Sequence, residues 1–185
     1  MTTFKSRLIT VISGAIFATC SLGISAKTII PPAPKMNAEG YILLDYNTGK
    51  VIVEGNADTQ LEPASLTKMM TSYIIGYELK EGNIKKSDMV SISRNAWATG
   101  NPVLKGSSLM FLEVGKEASV EDLNRGIIIA SGNDACIAMA EHIAGSEDAF
   151  AGLMNQHAAQ LGMSASNFEN SHGLSGTEHF TTPRD

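Results

Sequence analysis

The sequence has little of what marks the specialised classes of protein. Its 185 residues include two cysteines, six prolines and one tryptophan, and 18% are charged. Two cysteines permit at most one disulfide, which excludes a disulfide framework. The glycine and proline content also excludes a collagen-like chain or a low-complexity disordered one. A formal net charge of -5, spread without long runs of one sign, completes the composition of one globular domain.

Two kinds of binding site are also not expected. The sequence has no Lys/Arg stripe with interleaved aromatic residues, so nucleic acid is not expected as a partner. Its four histidines, at positions 142, 157, 172 and 179, lack metal-ligand spacing, and we expect neither a metal nor a cofactor. His142 and His157 lie in predicted helices, where a surface or half-buried position is expected. Cys136 lies on an apolar helix face and is expected in the core.

The first 26 residues have the pattern of a secretory signal peptide. Lys5 and Arg7 precede the uncharged residues 8–24, and Ala26 stands before Lys27. An uncleaved membrane anchor is the alternative, but this stretch is short for a span and contains Gly, Ser and Thr. We therefore predict export across the inner membrane to the periplasm. Residues 27–39, with three of the six prolines, are expected to form an extended arm.

The remaining sequence predicts a hairpin followed by helices. Residues 40–45 and 50–54 read as two strands joined by a turn, and residues 89–92 as a further strand. Helices are expected from Pro63, from Ser119, after a cap at Asn133 or Asp134, and from Ser146 to Gly162, with residues 163–180 as loop. The spacing of apolar residues in the first helix predicts one buried stripe, formed by Leu66, Met69, Met70, Tyr73, Ile74 and Tyr77. In the later helices the residues expected to face inward are Leu123, Ile127, Ile128, Cys136, Met139, Ala140, Ile143, Phe150, Leu153, Met154 and Leu161.

Ser65 and Lys68 form the only Ser-x-x-Lys in the sequence, at the start of the first predicted helix. A spacing of three places the hydroxyl and the amine on one side of the helix, and we expect that side to face away from the apolar stripe. A buried lysine near other cations can be neutral and deprotonate a serine. The pair is a candidate nucleophile and base, although an accidental pairing at a helix start is the simpler interpretation of this motif alone.

A second motif, Ser131-Gly132-Asn133, lies between two predicted helices. Helix capping is the simpler interpretation of its polar residues. Another Ser-x-Asn occurs at Ser93 and Asn95, but no helix junction surrounds it. Ser-x-x-Lys followed by Ser-x-Asn is the order found in penicillin-interacting serine acyltransferases.

The sequence resembles the low-molecular-mass penicillin-binding proteins, the D-alanyl-D-alanine carboxypeptidases of the penicillin-binding protein 5/6 type. The likeness extends over about residues 40–185 and is carried by PASLTKMMT (63–71), AWATGNP (96–102), GSSLMFL (106–112), SGNDAC (131–136) and HGL (172–174). It implies an α/β (α+β) fold of the β-lactamase/transpeptidase type, with a helical cluster and part of an antiparallel sheet whose later strands are missing.

The resemblance also implies roles for individual residues. Ser65 is the acylated nucleophile, Lys68 its general base, Ser131 a proton relay toward the leaving D-alanine, and Asn133 a partner for the substrate's peptide amide. The implied reaction removes the terminal D-Ala from peptidoglycan pentapeptides through an acyl-enzyme, which β-lactams trap. His172 in the HGL stretch is assigned a structural role.

One departure from the family's pattern concerns its third motif, Lys-Thr-Gly, which the 185 residues do not contain. In the family that strand binds the substrate carboxylate and supplies an oxyanion donor. We therefore expect residues 40–185 to be the N-terminal part of a catalytic domain, truncated before that motif at a helix-start pattern, Thr182-Pro183-Arg184-Asp185. The family's C-terminal membrane anchor is likewise not found. A serine β-lactamase, with Glu169 as its deacylating residue, and a non-catalytic penicillin-binding-like protein are the alternatives.

The missing motif predicts little or no carboxypeptidase activity for the 185-residue chain, and weak labelling by penicillin. Loss of one oxyanion donor costs roughly 10²–10³ in rate, and the carboxylate anchor is lost with it. Incubation with fluorescent penicillin measures this directly. Substantial acylation of the purified chain would contradict the prediction.

Overall fold

The computed structural model describes residue 32 and residues 34–185, and residues Lys35–Asp185 form one unit. The predicted signal peptide and part of the predicted arm lie outside the described residues. The unit has four strands, β1 (Tyr41–Leu44), β2 (Val51–Gly55), β3 (Met89–Ser91) and β4 (Glu117–Ser119). Its helices are α1 (Thr67–Glu81), α2 (Val120–Ala130), α3 (Asn133–Ala144) and α4 (Glu147–Leu161). No described helix is long and apolar enough to cross a membrane.

The predicted hairpin is confirmed. β1 and β2 pair antiparallel, with an irregularity in register between Leu43 and Leu44. The last described residues return to this hairpin, where the Arg184 guanidinium binds Asp58 at 2.5 Å and Glu54 at 2.8 Å. The Thr182 hydroxyl accepts a hydrogen bond from the Asp185 amide, as the helix-start pattern predicts, although residues 182–185 themselves form no helix.

A second antiparallel sheet joins β3 to β4, of which only β3 was predicted from the sequence. β4 leads directly into α2, where the Ser119 hydroxyl caps the helix by accepting a hydrogen bond from the Asp122 amide. That cap was predicted from the sequence. The three-residue β4 carries no alternation long enough to predict a strand.

The core lies among the helices, and α1 packs against α2, α3 and α4. One cluster of buried side chains joins Ile75 of α1 to Leu123 and Ile127 of α2 and to α3. A second joins Met70 and Ile74 of α1 to Phe150 and Met154 of α4. Contacts with these three helices thus fix the position of α1 and of the residues at its start.

The predicted buried stripe of α1 is wrong for most of its members. Met70 and Ile74 are buried, but Leu66, Met69, Tyr73 and Tyr77 are exposed. The buried face instead consists of Thr67, Lys68, Met70, Thr71, Ile74 and Ile75. Lys68, which was expected to face away from the stripe, is buried while most of the stripe is exposed, so the error lies in which face of α1 is covered. α1 has apolar residues all round, so its neighbours decide which face is covered, and its buried polar groups have hydrogen-bond partners.

Smaller differences concern caps and single side chains. The first helical turn predicted from Pro63 is a separate 3-10 turn, Ala64–Leu66. The N-cap of α3 is Gly132, which has no side chain to cap the helix, rather than the predicted Asn133 or Asp134. The Asp134 carboxylate instead binds a neighbouring loop and the amide of the next residue. His157 is buried rather than at the surface, with its ring against Tyr73 and Tyr77. Two predicted core residues, Ile128 and Leu161, are exposed.

Two substitutions within α2 test where the core lies. Leu123 is fully buried, whereas Ile129 is 77% exposed. We expect Leu123→Ala to lower the free energy of unfolding by about 2–5 kcal/mol, because it leaves a cavity. Ile129→Ala is the matched control and is expected to change it by less than about 0.5 kcal/mol. Urea denaturation measures both values, and equal losses would contradict this assignment of the core.

Candidate active site

The first site residue, Ser65, lies in the 3-10 turn immediately before α1. The preceding Ala64 has a φ of 47°, a left-handed conformation that is uncommon for a residue with a Cβ atom. Ser65 is exposed, whereas Lys68, three residues further, is only 6% exposed. The turn therefore presents a hydroxyl at the surface above a buried amine.

Ser131 and Asn133 lie at the junction of α2 and α3. Ser131 ends α2 in the left-handed conformation, with a φ of 52°, and Gly132 follows it directly. Asn133 is the first residue of α3 and is buried. This sharp turn directs the Ser131 side chain toward the start of α1.

Three of the four predicted site residues meet through their side chains. The Lys68 Nζ atom lies 3.2 Å from the Ser65 Oγ atom, and the Ser131 hydroxyl donates to the same Oγ at 3.1 Å. Ser131 and Ser65 are 66 positions apart in the sequence, so the fold brings them together. Among residues 34–185, no side-chain hydrogen bond joins Asn133 to the group, and its chemical role, like those of the other three, stays a prediction.

These residues line a shallow depression of about 280 Å³. Its walls come from α1, α2 and their ends, and consist of Ser65, Lys68, Met69, Ser72, Ile127, Ile128 and Ser131. A larger groove, about 520 Å³, lies between β4 and α2 but contains none of the predicted site residues. We place the site in the smaller depression because the nucleophile and base geometry is there.

Burial lowers the pKa of Lys68 below that of a free lysine. Burial disfavours the charged amine, which increases the fraction able to accept a proton. Cys136 is fully buried, and burial raises the pKa of its thiol to about 12. The thiol is therefore protonated at neutral pH, in agreement with the predicted core position.

A fully buried carboxylate fixes the loop beside Asn133. Asp134 accepts hydrogen bonds from the amides of Met110, at 2.8 Å, and Leu112, at 2.9 Å. The Ser108 carbonyl in the same loop accepts from the Asn133 amide at 2.9 Å. Phe111, between the two bound amides, has a φ of 65°. Asp134 thus attaches the GSSLMFL segment to the start of α3.

The partners of α1 in the segment 170–173 were not predicted from the sequence. The Lys68 ammonium donates to the His172 carbonyl at 2.7 Å, and the Thr71 hydroxyl donates to the Ser171 carbonyl at 2.6 Å. Both acceptors are main-chain atoms, which a search for reactive side chains does not find. The HGL stretch, residues 172–174, marks this segment in the sequence. The structural role expected for His172 agrees with the contact between its carbonyl and Lys68.

Gly173 follows at a point where a side chain has no room. Its φ is 90°, and a Cβ atom there would lie 1.8 Å from the Ala64 carbonyl oxygen. The backbone of this segment therefore rests directly on the residue before the nucleophile.

Other candidate residues have different partners. Ser93 accepts hydrogen bonds from the amides of Asn95 and Ala96, and the Asn95 side chain binds Glu141, so this second Ser-x-Asn forms a local turn. The Glu169 amide donates to His179, whose other ring nitrogen contacts Thr67. Among residues 34–185, no group of three His, Cys, Asp or Glu is arranged to hold a metal ion.

Comparison of the fold defines the class of protein. The chain is similar to penicillin binding protein 5 from Haemophilus influenzae, with a TM-score of 0.80 and 44% identity, over 84% of this chain and 44% of that one. It is also similar to penicillin binding protein 6B from Escherichia coli, with a TM-score of 0.79 and 43% identity, over 83% of this chain and 48% of that one. These likenesses confirm the penicillin-binding, β-lactamase/transpeptidase-like fold that the sequence predicted.

The family follows from the sequence matches. Residues 27–185 match Peptidase S11, D-alanyl-D-alanine carboxypeptidase, and the chain belongs to this family. It is 54% identical over 162 residues to D-alanyl-D-alanine carboxypeptidase DacA of Escherichia coli K12, which is 88% of this chain and 40% of the relative. The chain therefore spans about two fifths of the length of this relative.

The buried His172 predicts a dependence of stability on pH. Burial, with Lys68 nearby, lowers the pKa of His172 to about 4, whereas an unfolded histidine protonates near pH 6.5. Between these values only the unfolded chain takes up the proton, so the free energy of unfolding falls as the pH drops. The loss from this residue is up to about 3 kcal/mol.

Urea denaturation of the parent chain and of His172→Asn, between pH 7 and pH 4, measures this contribution. As the pH falls, the free energy of unfolding is expected to decrease more in the parent chain than in His172→Asn. The exposed His142→Asn serves as the control variant. A difference that stays constant over the whole range would contradict the assignment to His172.

Proposed function

We propose that this chain carries the acylating residues of a serine-type D-alanyl-D-alanine carboxypeptidase. The observation that supports this most is the hydrogen-bonded series Lys68, Ser65, Ser131, with contacts of 3.2 and 3.1 Å at the Ser65 hydroxyl. In the proposed reaction Ser65 attacks the peptide carbonyl before the terminal D-Ala of a peptidoglycan stem pentapeptide. An ester to Ser65 forms, D-Ala leaves, and water later hydrolyses the ester.

Lys68 is proposed as the general base for the attack. Its amine lies within proton-transfer distance of the Ser65 hydroxyl, and burial lowers its pKa. Its other hydrogen bond goes to a neutral carbonyl, at His172. No carboxylate forms an ion pair with Lys68 among the described residues, so no full negative charge there favours its protonated form.

Ser131 is proposed to pass a proton toward the departing D-Ala amine. Its hydroxyl contacts the nucleophile, and its position at a helix junction holds it at the edge of the depression. Asn133 is proposed to bind the substrate's peptide amide. Its Oδ1 atom is buried and has no hydrogen-bond partner among residues 34–185. An unpaired buried acceptor costs roughly 1–3 kcal/mol, which a substrate donor would recover.

The proposed setting is the bacterial cell wall. Residues 1–26 are proposed as a signal peptide, residues 27–39 as an extended arm, and residues 40–185 as the N-terminal part of the catalytic domain. The proposed site of action is the periplasm, next to the inner membrane. β-Lactams are proposed to acylate Ser65, because they present a strained amide where the substrate presents its scissile one.

The test supplies the Lys-Thr-Gly strand that these 185 residues lack. A chimera joins this chain to the following part of the Escherichia coli DacA relative, and intact mass after penicillin exposure reports the adduct. We expect one adduct in the chimera and none in Ser65→Ala. Lys68→Arg, which keeps the charge but not the base, is expected to slow adduct formation about 10²-fold or more.

The two Ser-x-Asn motifs offer a matched comparison for Ser131. In the chimera, Ser131→Ala is expected to lower the rate of D-Ala release from a peptide ending in D-Ala-D-Ala by about 10²-fold. Ser93→Ala removes the same hydroxyl from the local turn and is expected to leave that rate within about twofold, since it affects no group in the proton path. An adduct in Ser65→Ala, or equal effects of the two serine substitutions, would refute the proposed roles.

A further inference from the structure

Glu147, the first residue of α4, has three contacts at one carboxylate oxygen. Its Oε1 atom accepts hydrogen bonds from the Ser171 hydroxyl at 2.7 Å and from the Ser171 amide at 3.2 Å. The same oxygen lies 3.3 Å from the His172 Nε2 atom. The side chain is 27% exposed and His172 is 4% exposed, so these contacts lie mostly away from water.

The hydrogen bonds of His172 show which ring nitrogen carries the proton. The Leu174 amide donates to Nδ1 at 3.1 Å, so Nδ1 is the unprotonated nitrogen of a neutral ring. Nε2 then carries the hydrogen, and it lies 3.3 Å from the Glu147 Oε1 atom. The pKa of His172, lowered to about 4 by burial and by Lys68, agrees with a neutral ring at physiological pH.

The main-chain carbonyls of Ser171 and His172 bind α1. The Ser171 carbonyl accepts from Thr71, and the His172 carbonyl accepts from Lys68. Glu147 therefore contacts the amide and hydroxyl of Ser171 and the ring of His172, while the carbonyls of both residues accept hydrogen bonds from α1. Gly173, next in sequence, rests on the Ala64 carbonyl beside the nucleophile.

We propose that Glu147 is a positioning residue for the general base, acting through the main chain of Ser171 and His172 on the Lys68 ammonium. This inference rests on the proposed function of Lys68. The arrangement transmits position without a direct ion pair between Glu147 and Lys68. His172 lies between the Glu147 carboxylate and the Lys68 amine. Glu147 can therefore fix the carbonyl that orients Lys68 without forming an ion pair that would keep Lys68 protonated.

Three variants of the 185-residue chain separate this role from general stabilisation. Glu147→Ala removes all three contacts. Glu147→Gln keeps an oxygen that can accept them and is the conservative rescue. Asp148→Ala is the matched control, because Asp148 is an exposed acid in the same first turn of α4 and has no hydrogen bond to residues 170–173. Thermal unfolding verifies that each variant is folded.

Two measurements do not require activity. Hydrogen exchange of residues 169–175 is expected to accelerate in Glu147→Ala and to stay as in the parent chain in Glu147→Gln and Asp148→Ala. Acetic anhydride is expected to modify Lys68 several-fold faster in Glu147→Ala, relative to the exposed Lys105, because the amine is released from the His172 carbonyl. Unchanged exchange or unchanged Lys68 labelling in a folded Glu147→Ala would overturn the proposal.

The third measurement is the rate of penicillin adduct formation at Ser65 in the chimera with the Escherichia coli DacA relative, into which the same substitutions are introduced. Glu147→Ala is expected to lower this rate by about 10–100-fold, since small displacements of a catalytic group have effects of this size. Glu147→Gln is expected to stay within about threefold of the unsubstituted chimera. If the unsubstituted chimera forms no adduct, the acylating role fails, while exchange and Lys68 labelling in the 185-residue chain still decide whether Glu147 positions the amine. An adduct rate in Glu147→Ala equal to that of the unsubstituted chimera would refute the positioning role alone.

Discussion

The hydrogen bond from the Lys68 ammonium to the His172 carbonyl, 2.7 Å long, is the interaction on which the site depends. The amine of a lysine that is only 6% exposed needs a partner, because an unpaired buried charge is costly. A neutral carbonyl satisfies the ammonium without favouring its charged form as a carboxylate would. The segment that provides this carbonyl must therefore lie over α1, and the contacts of Thr71, Gly173 and Glu147 hold it there.

Buried polar groups fix the remaining parts of the site in the same way. Asp134 is fully buried, and its carboxylate holds two amides of the loop that adjoins Asn133. Thr67 is also buried and contacts His179 at 2.8 Å. Each such group is stable only in one arrangement, because a displaced partner leaves a buried donor or acceptor unpaired. The packed helices supply stability, and the polar contacts specify where Ser65, Lys68 and Ser131 lie.

Several elements were predictable because their signals are local. The β1 and β2 hairpin, the Ser119 cap of α2 and the span of α4 follow from turn residues, hydroxyl caps and glycines at helix ends. The buried face of α1 was not predictable in this way. Leu66, Met69 and Tyr73 satisfy a helical spacing but are exposed, whereas Lys68 and Thr71 are buried. Which face of an all-round apolar helix is covered depends on elements distant in sequence.

The sequence by itself determined the family and the residues proposed for the chemistry, because Ser-x-x-Lys and Ser-x-Asn are short motifs with local chemical meaning. It also indicated that Ser65 lies at the entry to a helix, with Lys68 three residues later. Only the tertiary structure decided that Ser131 contacts Ser65 and that the His172 carbonyl binds Lys68. These contacts join residues 66 and 104 positions apart. Their physical basis is the packing of α2, α3 and α4 around α1, which no local pattern of residues encodes.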